Sequence, residues 1–210
     1  MILLVGSRKG GSGKSTLATC ISVELAKHGD VLLIDADVQS TATTWAMDRE
    51  DSGHQPAIPC VQKLGNIRGA VMDLAKRYDF VVVDAAGRDS QELRTAMTCA
   101  DLLLCPFRPS QADLDTSPGL AKVIEEARDF NPELSVKALL TQCPTHPGNT
   151  EISEAREYLS NIDELPLLDA QIFDRKAFRD ALSLGKGVTE HTDAKAREEI
   201  EVLVKELLNA

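Results

Sequence analysis

The residues that most narrow the possible folds are 2 to 16, where the apolar run Ile2-Leu3-Leu4-Val5 passes directly into Gly6-Ser7-Arg8-Lys9-Gly10-Gly11-Ser12-Gly13-Lys14-Ser15-Thr16. A short apolar run stopped by glycine reads as a buried strand, and the turn behind it reads as an anion cradle. Gly10, Gly11 and Gly13, with Ser12 among them, let backbone N–H groups approach phosphate without side-chain clash. Lys14 reaches the outer phosphates, and the Ser15 hydroxyl is placed to hold a magnesium ion. A helix starting near Lys14 and running through Ser15 and Thr16 turns its N-terminus toward the same anion.

Two other readings of this stretch are weaker. Gly11-x-Gly13-x-x-Thr16 resembles a dinucleotide-binding glycine pattern, with Asp35 about 20 residues on, where a ribose-binding acid would stand. Thr16 argues against it, because the third glycine of that pattern lets helix and strand pack closely and a β-branched residue defeats the purpose. The dinucleotide pattern also has no use for Lys9 or Lys14. A plain glycine-rich turn with a solvated Lys9 does not explain why Lys14-Ser15 follow the glycines at the required offset behind a strand.

The standard phosphate-loop pattern wants glycine where Arg8 stands, and a lysine at position 9 is a second departure. Together these residues spell KGGSGKST, which resembles the deviant Walker A motif of the ParA/MinD family of partitioning and positioning ATPases. The resemblance implies ATP and Mg²⁺ as cofactors. It also implies a homodimer with ATP sandwiched between subunits, in which Lys9 reaches the nucleotide bound by the other subunit.

Length and composition fit one domain. At 210 residues and 43% hydrophobic the chain suffices for a single sizeable core, and no Pro/Gly/Ser-rich linker divides it. Its five cysteines are odd in number and contain no C-x-x-C pair, which suggests buried reduced thiols rather than disulfides or zinc. The first apolar run is too short for a signal peptide, and no stretch approaches membrane-spanning length. A net charge of −10 argues against a chain that coats nucleic acid over its whole surface, although a local basic patch remains open.

Hydrophobic spacing predicts helices over 15–28, 40–47 with Trp45 inward, 67–77, 112–130, 151–160 and 193–208, and another containing Phe178 and Leu182. Strands are predicted at 31–34, 58–61, 80–84, 102–105, 136–141 and 167–172. Strands and helices alternate, so the expected fold is α/β, a doubly wound and mostly parallel sheet flanked by helices, in one domain over 1–210. A first strand beginning at residue 2 leaves no room for the N-terminal helix-turn-helix of larger ParA proteins.

The apolar run Phe80-Val81-Val82-Val83 ends in Asp84, a Walker B pattern in which a carboxylate at the strand tip holds magnesium, usually through water. Ala85-Ala86-Gly87 then supplies a small turn suited to sensing a γ-phosphate. Asp35-Ala36-Asp37-Val38-Gln39 resembles the family's A′ motif with Val38 in place of proline. By that resemblance Asp37 positions the attacking water and Asp35 supports the magnesium shell. Cys105-Pro106-Phe107-Arg108-Pro109-Ser110 is expected to leave its strand at the proline, and in small ParA proteins such a loop lies near nucleotide and partner. The resemblance places Thr141 and Gln142 at the adenine edge.

Arg175, Lys176, Arg179 and Lys186 cluster in an otherwise acidic chain, and helical spacing puts Arg175 and Arg179 on one face. This is either a solvated face or a patch for nonspecific DNA of the kind used by ParA proteins that ride the nucleoid. The last helix is acidic where a membrane surface would want bases. The expectation is a cytoplasmic ATPase, nucleoid-associated if the basic patch binds DNA, that turns over slowly, is stimulated by a ParB-like partner or cargo adaptor, and segregates or positions DNA or other cargo. A biosynthetic P-loop enzyme such as a dethiobiotin-synthetase-like ligase is the alternative, and a binding module without hydrolysis is the third reading.

Overall fold

The computed structural model describes residues 1–209 except 88 and 147. Its seven strands are β1 (Ile2–Val5), β2 (Val31–Ala36), β3 (Cys60–Gln62), β4 (Phe80–Ala85), β5 (Leu102–Phe107), β6 (Ser135–Cys143) and β7 (Leu167–Phe173). They form one sheet in the order β3-β2-β4-β1-β5-β6-β7, and every pairing is parallel. Both faces are covered by helices α1 (Lys14–Leu25), α2 (Thr41–Asp51), α3 (Arg68–Leu74), α4 (Gln91–Met97), α5 (Gln111–Leu114), α6 (Ser117–Arg128), α7 (Glu151–Leu159), α8 (Lys176–Ser183) and α9 (Ala194–Leu207).

The unbroken apolar character of β1 follows from its central place, because side chains alternate between two covered faces. Ile2 and Leu4 enter a core with Val71, Leu93, Leu120 and Leu159, from α3, α4, α6 and α7. Leu3 and Val5 enter the opposite core with Leu17 and Ile21 of α1 and Ile200 and Leu203 of α9. Leu4 is fully buried, so truncating it to alanine would cost about 2–5 kcal/mol.

This arrangement brings the chemistry-bearing segments to one end of the sheet. Val5 is register partner to Asp84, and Asp84 is register partner to Asp35, so both acids stand level with the start of the glycine turn. Ligands in open α/β sheets collect beyond such carboxyl ends.

Three local expectations change. Helix α4 lies outside the expected helices; Ser90 caps it by accepting from Leu93 N–H at 3.1 Å, and Leu93, Ala96 and Met97 give it a buried stripe at helical spacing. The single helix expected over 112–130 is broken into α5 and α6 before Pro118, where the Ser117 hydroxyl bonds the Leu114 carbonyl at 2.6 Å. Pro106 does not end β5 but lies within it, opposite Leu139 of β6. Leu104 accepts from Gly6 N–H on the β1 side, and two residues on, the Pro106 nitrogen faces that same side past the end of β1, where no ladder donor is needed.

Candidate nucleotide-binding site

The glycine turn between β1 and α1 holds Gly11 at φ +82° and Gly13 at φ +81°, left-handed conformations that a side chain would strain. Lys14 opens α1 and is buried, with Nζ donating to the Lys9 carbonyl at 3.1 Å and the Ser7 hydroxyl at 3.2 Å. Burial lowers the pKa of Lys14, with Asp84, Asp37 and Asp113 opposing. The lysine is therefore held under the cradle at an energetic cost that an approaching anion would relieve.

Asp84 is buried, and among the described residues neither of its carboxylate oxygens has a hydrogen-bond partner. Burial pushes its pKa up to about 7, and Asp35 and Asp37 add to the rise. Ser15 and Lys14 pull the other way, the Ser15 hydroxyl lying near enough to help without meeting hydrogen-bond geometry. Two bare carboxylate oxygens beside a serine hydroxyl fit a hard cation that keeps most of its own waters.

Asp35 is different. One oxygen accepts from Asp37 N–H at 3.1 Å, and the other accepts from Thr43 N–H and the Thr43 hydroxyl at 2.8 Å each. It thus caps α2 and fixes the loop that carries Asp37. Asp37 is half-buried, accepts from Gln39 N–H at 3.0 Å and precedes Ser40, whose φ is 55°. A Cβ on Gly87 would meet Lys14 Nζ and Gly10 Cα at 2.7 Å, so the turn after Asp84 packs directly on the cradle.

The end of β6 is stitched to the same turn. Thr141 is buried and donates to the Ser12 carbonyl at 3.0 Å, so it braces the cradle, and it lines the cavity beside Gln142. Gln142, at φ 50°, donates Nε2 to the Gly11 carbonyl at 2.8 Å. Gln142 also lines a cavity of about 200 Å³ with Gly13, Thr16, Phe173, Arg175 and Phe178.

Lys9 lends its carbonyl to Lys14 in the cradle, and its ammonium is 2.9 Å from the buried Asp113 of α5. Arg108 grips the same carboxylate, Nε at 3.0 Å and Nη2 at 2.8 Å. Asp113 is the site residue that sequence spacing does not reveal, because only the fold brings α5 to the cradle.

The basic cluster is not the free helical face that spacing suggests. Arg175 precedes α8 in extended conformation, is bonded to Glu199 at 2.7 Å and stacks 5.3 Å from the Phe173 ring centroid. Lys176 pairs with Asp180 at 2.6 Å, and Arg179 pairs with Asp174 at 2.5 Å. Each of these three cations carries a carboxylate of its own chain, so that part of the cluster is largely compensated. Among the described residues no helix is long and apolar enough to cross a membrane.

Comparison with known proteins gives the family. The chain is 32% identical over 194 residues to the maintenance of carboxysome distribution protein A of Halothiobacillus neapolitanus, covering 89% of this chain and 85% of that protein. It is 25% identical to a probable plasmid-partitioning protein ParA of Thermus thermophilus, covering 95% of this chain and 75% of the relative. The solved structure of McdA from Cyanothece superposes with a TM-score of 0.83 at 17% identity, covering 99% of both chains. Residues 3–188 match the CobQ/CobB/MinD/ParA nucleotide binding domain, and the chain belongs to that family.

Proposed function

We propose that this chain is a ParA-type ATPase: two copies close on two ATP molecules, hydrolyse them slowly under partner stimulation, and use the cycle to segregate or position DNA or another cargo. The observation that carries the reading is Lys9, whose carbonyl accepts from Lys14 within its own cradle while its side chain, paired with Asp113, stays about one-third exposed. A cation so placed is available to a second subunit, in the manner of an arginine finger. The relatives' printed roles in carboxysome distribution and plasmid partition support the same kind of work here.

In this reading the backbone from Gly10 to Thr16 cradles the phosphates, and Lys14 exchanges the Lys9 carbonyl and Ser7 for phosphate oxygens. Ser15 and Asp84 would hold Mg²⁺, whose contribution is charge neutralisation across the outer phosphates. Asp35 braces the loop from behind, and Asp37 orients the attacking water. Gln142 and the cavity beside it would take the base. Arg175, Lys176 and Arg179 would add to DNA binding only by trading carboxylate partners for phosphates, a small net gain. A ParB-like partner or cargo adaptor, and action on nucleoid DNA in the cytosol, complete the proposal.

A ligase reading is disfavoured because these relatives position cargo, and a product assay separates the two. ATP with Mg²⁺ and no acid cosubstrate should yield ADP and phosphate. Turnover only on adding a small carboxylic acid would favour the ligase.

A further inference from the structure

Asp113 is buried, yet it bears on two cations at once. Its Oδ1 is 2.9 Å from Lys9 Nζ and 2.8 Å from Arg108 Nη2; Oδ2 accepts Arg108 Nε at 3.0 Å and the Arg108 backbone N–H at 3.2 Å. Burial pushes the carboxyl's pKa up, but Arg108 and Lys9 together bring it below its ordinary value. The Lys9 side chain is about one-third exposed, so it can leave without the surrounding structure opening.

We infer that Asp113 is a positioning residue that keeps Lys9 in its own subunit and thereby sets the protein concentration at which ATP-bound copies pair. The inference rests on the proposed cross-subunit role of Lys9. For Lys9 to reach a neighbour's nucleotide it must give up Asp113. A buried carboxylate stripped of its only cation is strongly destabilising. Here Arg108 stays behind with a bidentate fork, so the carboxylate remains paired when Lys9 departs. Arg108 makes the latch releasable, and Asp113 makes it hold.

Two substitutions should act in opposite directions. Asp113→Asn removes the charge that retains Lys9 and keeps the side chain's shape. Among the described residues Arg108→Gln leaves Lys9 as the only cation in contact with Asp113, so release becomes harder. A two-fold dimer contains two such contacts, and each contact worth about 1.4 kcal/mol would change the dimer Kd tenfold.

The test is sedimentation of the full chain over a range of protein concentrations, with Mg²⁺ and a non-hydrolysable ATP analogue. The parent, Asp113→Asn, Arg108→Gln, Lys9→Gln and the Lys9→Gln/Asp113→Asn double variant are compared, with melting curves to confirm folding. Asp113→Asn should dimerise at a concentration about tenfold to a hundredfold below the parent's, Arg108→Gln above it, and both Lys9→Gln chains should stay monomeric. A folded Asp113→Asn with a midpoint at or above the parent's overturns the inference while leaving the cross-subunit reading intact. If Asp113→Asn does not fold, Arg108→Gln decides, and a midpoint at or below the parent's is the contrary result. Normal dimers of Lys9→Gln would remove the cross-subunit reading and this inference with it.

Discussion

Asp84 and Asp35 are register partners on adjacent parallel strands, yet among the described residues the Asp84 carboxylate has no hydrogen-bond partner while both oxygens of Asp35 are engaged. Equal sequence signals, an acid at a strand tip, therefore give one group free to bind a cation and one that holds a loop. The difference has a consequence for stability. Held near pH 7 by burial, Asp84 keeps its proton in the folded chain after an unfolded carboxyl, near 3.8, has lost it. Its favourable contribution is complete below about pH 4 and disappears as pH rises through 7, a loss of about 4 kcal/mol at most.

Asp84→Asn should therefore melt several degrees above the parent at pH 8 in the absence of nucleotide and Mg²⁺, with the gap closing toward pH 4. Thermal melts across that range provide the check. A variant less stable than the parent at pH 8 would show that the carboxylate is not strained by its burial.

Lys14→Ala should weaken ATP binding by about a hundredfold or more, since it removes the ammonium that meets the outer phosphates. The same variant should melt close to the parent without nucleotide, because burial already makes the charged lysine costly. Calorimetry with ATP tests the first effect, and unchanged affinity would remove the phosphate-loop assignment.

Much of this site was legible because its chemistry is local in sequence. The cradle, Lys14 and Ser15 lie within one turn, and Asp84 closes an apolar run that can only be a buried strand. Asp113 was not legible: its meeting with Lys9 depends on β5 running on through Pro106, which a rule about proline in ladders had argued against. Thr141 showed its position, at the tip of β6, but not its contact with the Ser12 carbonyl, which depends on how β6 meets the glycine turn in the fold. The basic cluster was legible as charge but not as pairing, because Glu199 on α9, which meets Arg175, lies far from it in sequence.

Asp37→Ala should still bind ATP and pair but stall before hydrolysis, with turnover reduced by about 10²–10⁴ and the Michaelis constant not raised. Phosphate release under single-turnover conditions measures it. Turnover at the parent's rate would move the water-orienting role elsewhere, with Asp35 next in reach.

The central claim is that nucleotide drives two copies together through Lys9, and the mass of the particle in solution tests it most directly. With saturating Mg²⁺ and a non-hydrolysable ATP analogue, light scattering should give twice the 22.8 kDa of one chain. With ADP it should give the single chain, and Lys9→Gln should bind the analogue yet remain single. A parent chain that stays monomeric with the analogue, or a Lys9→Gln chain that pairs as readily as the parent, would contradict the account.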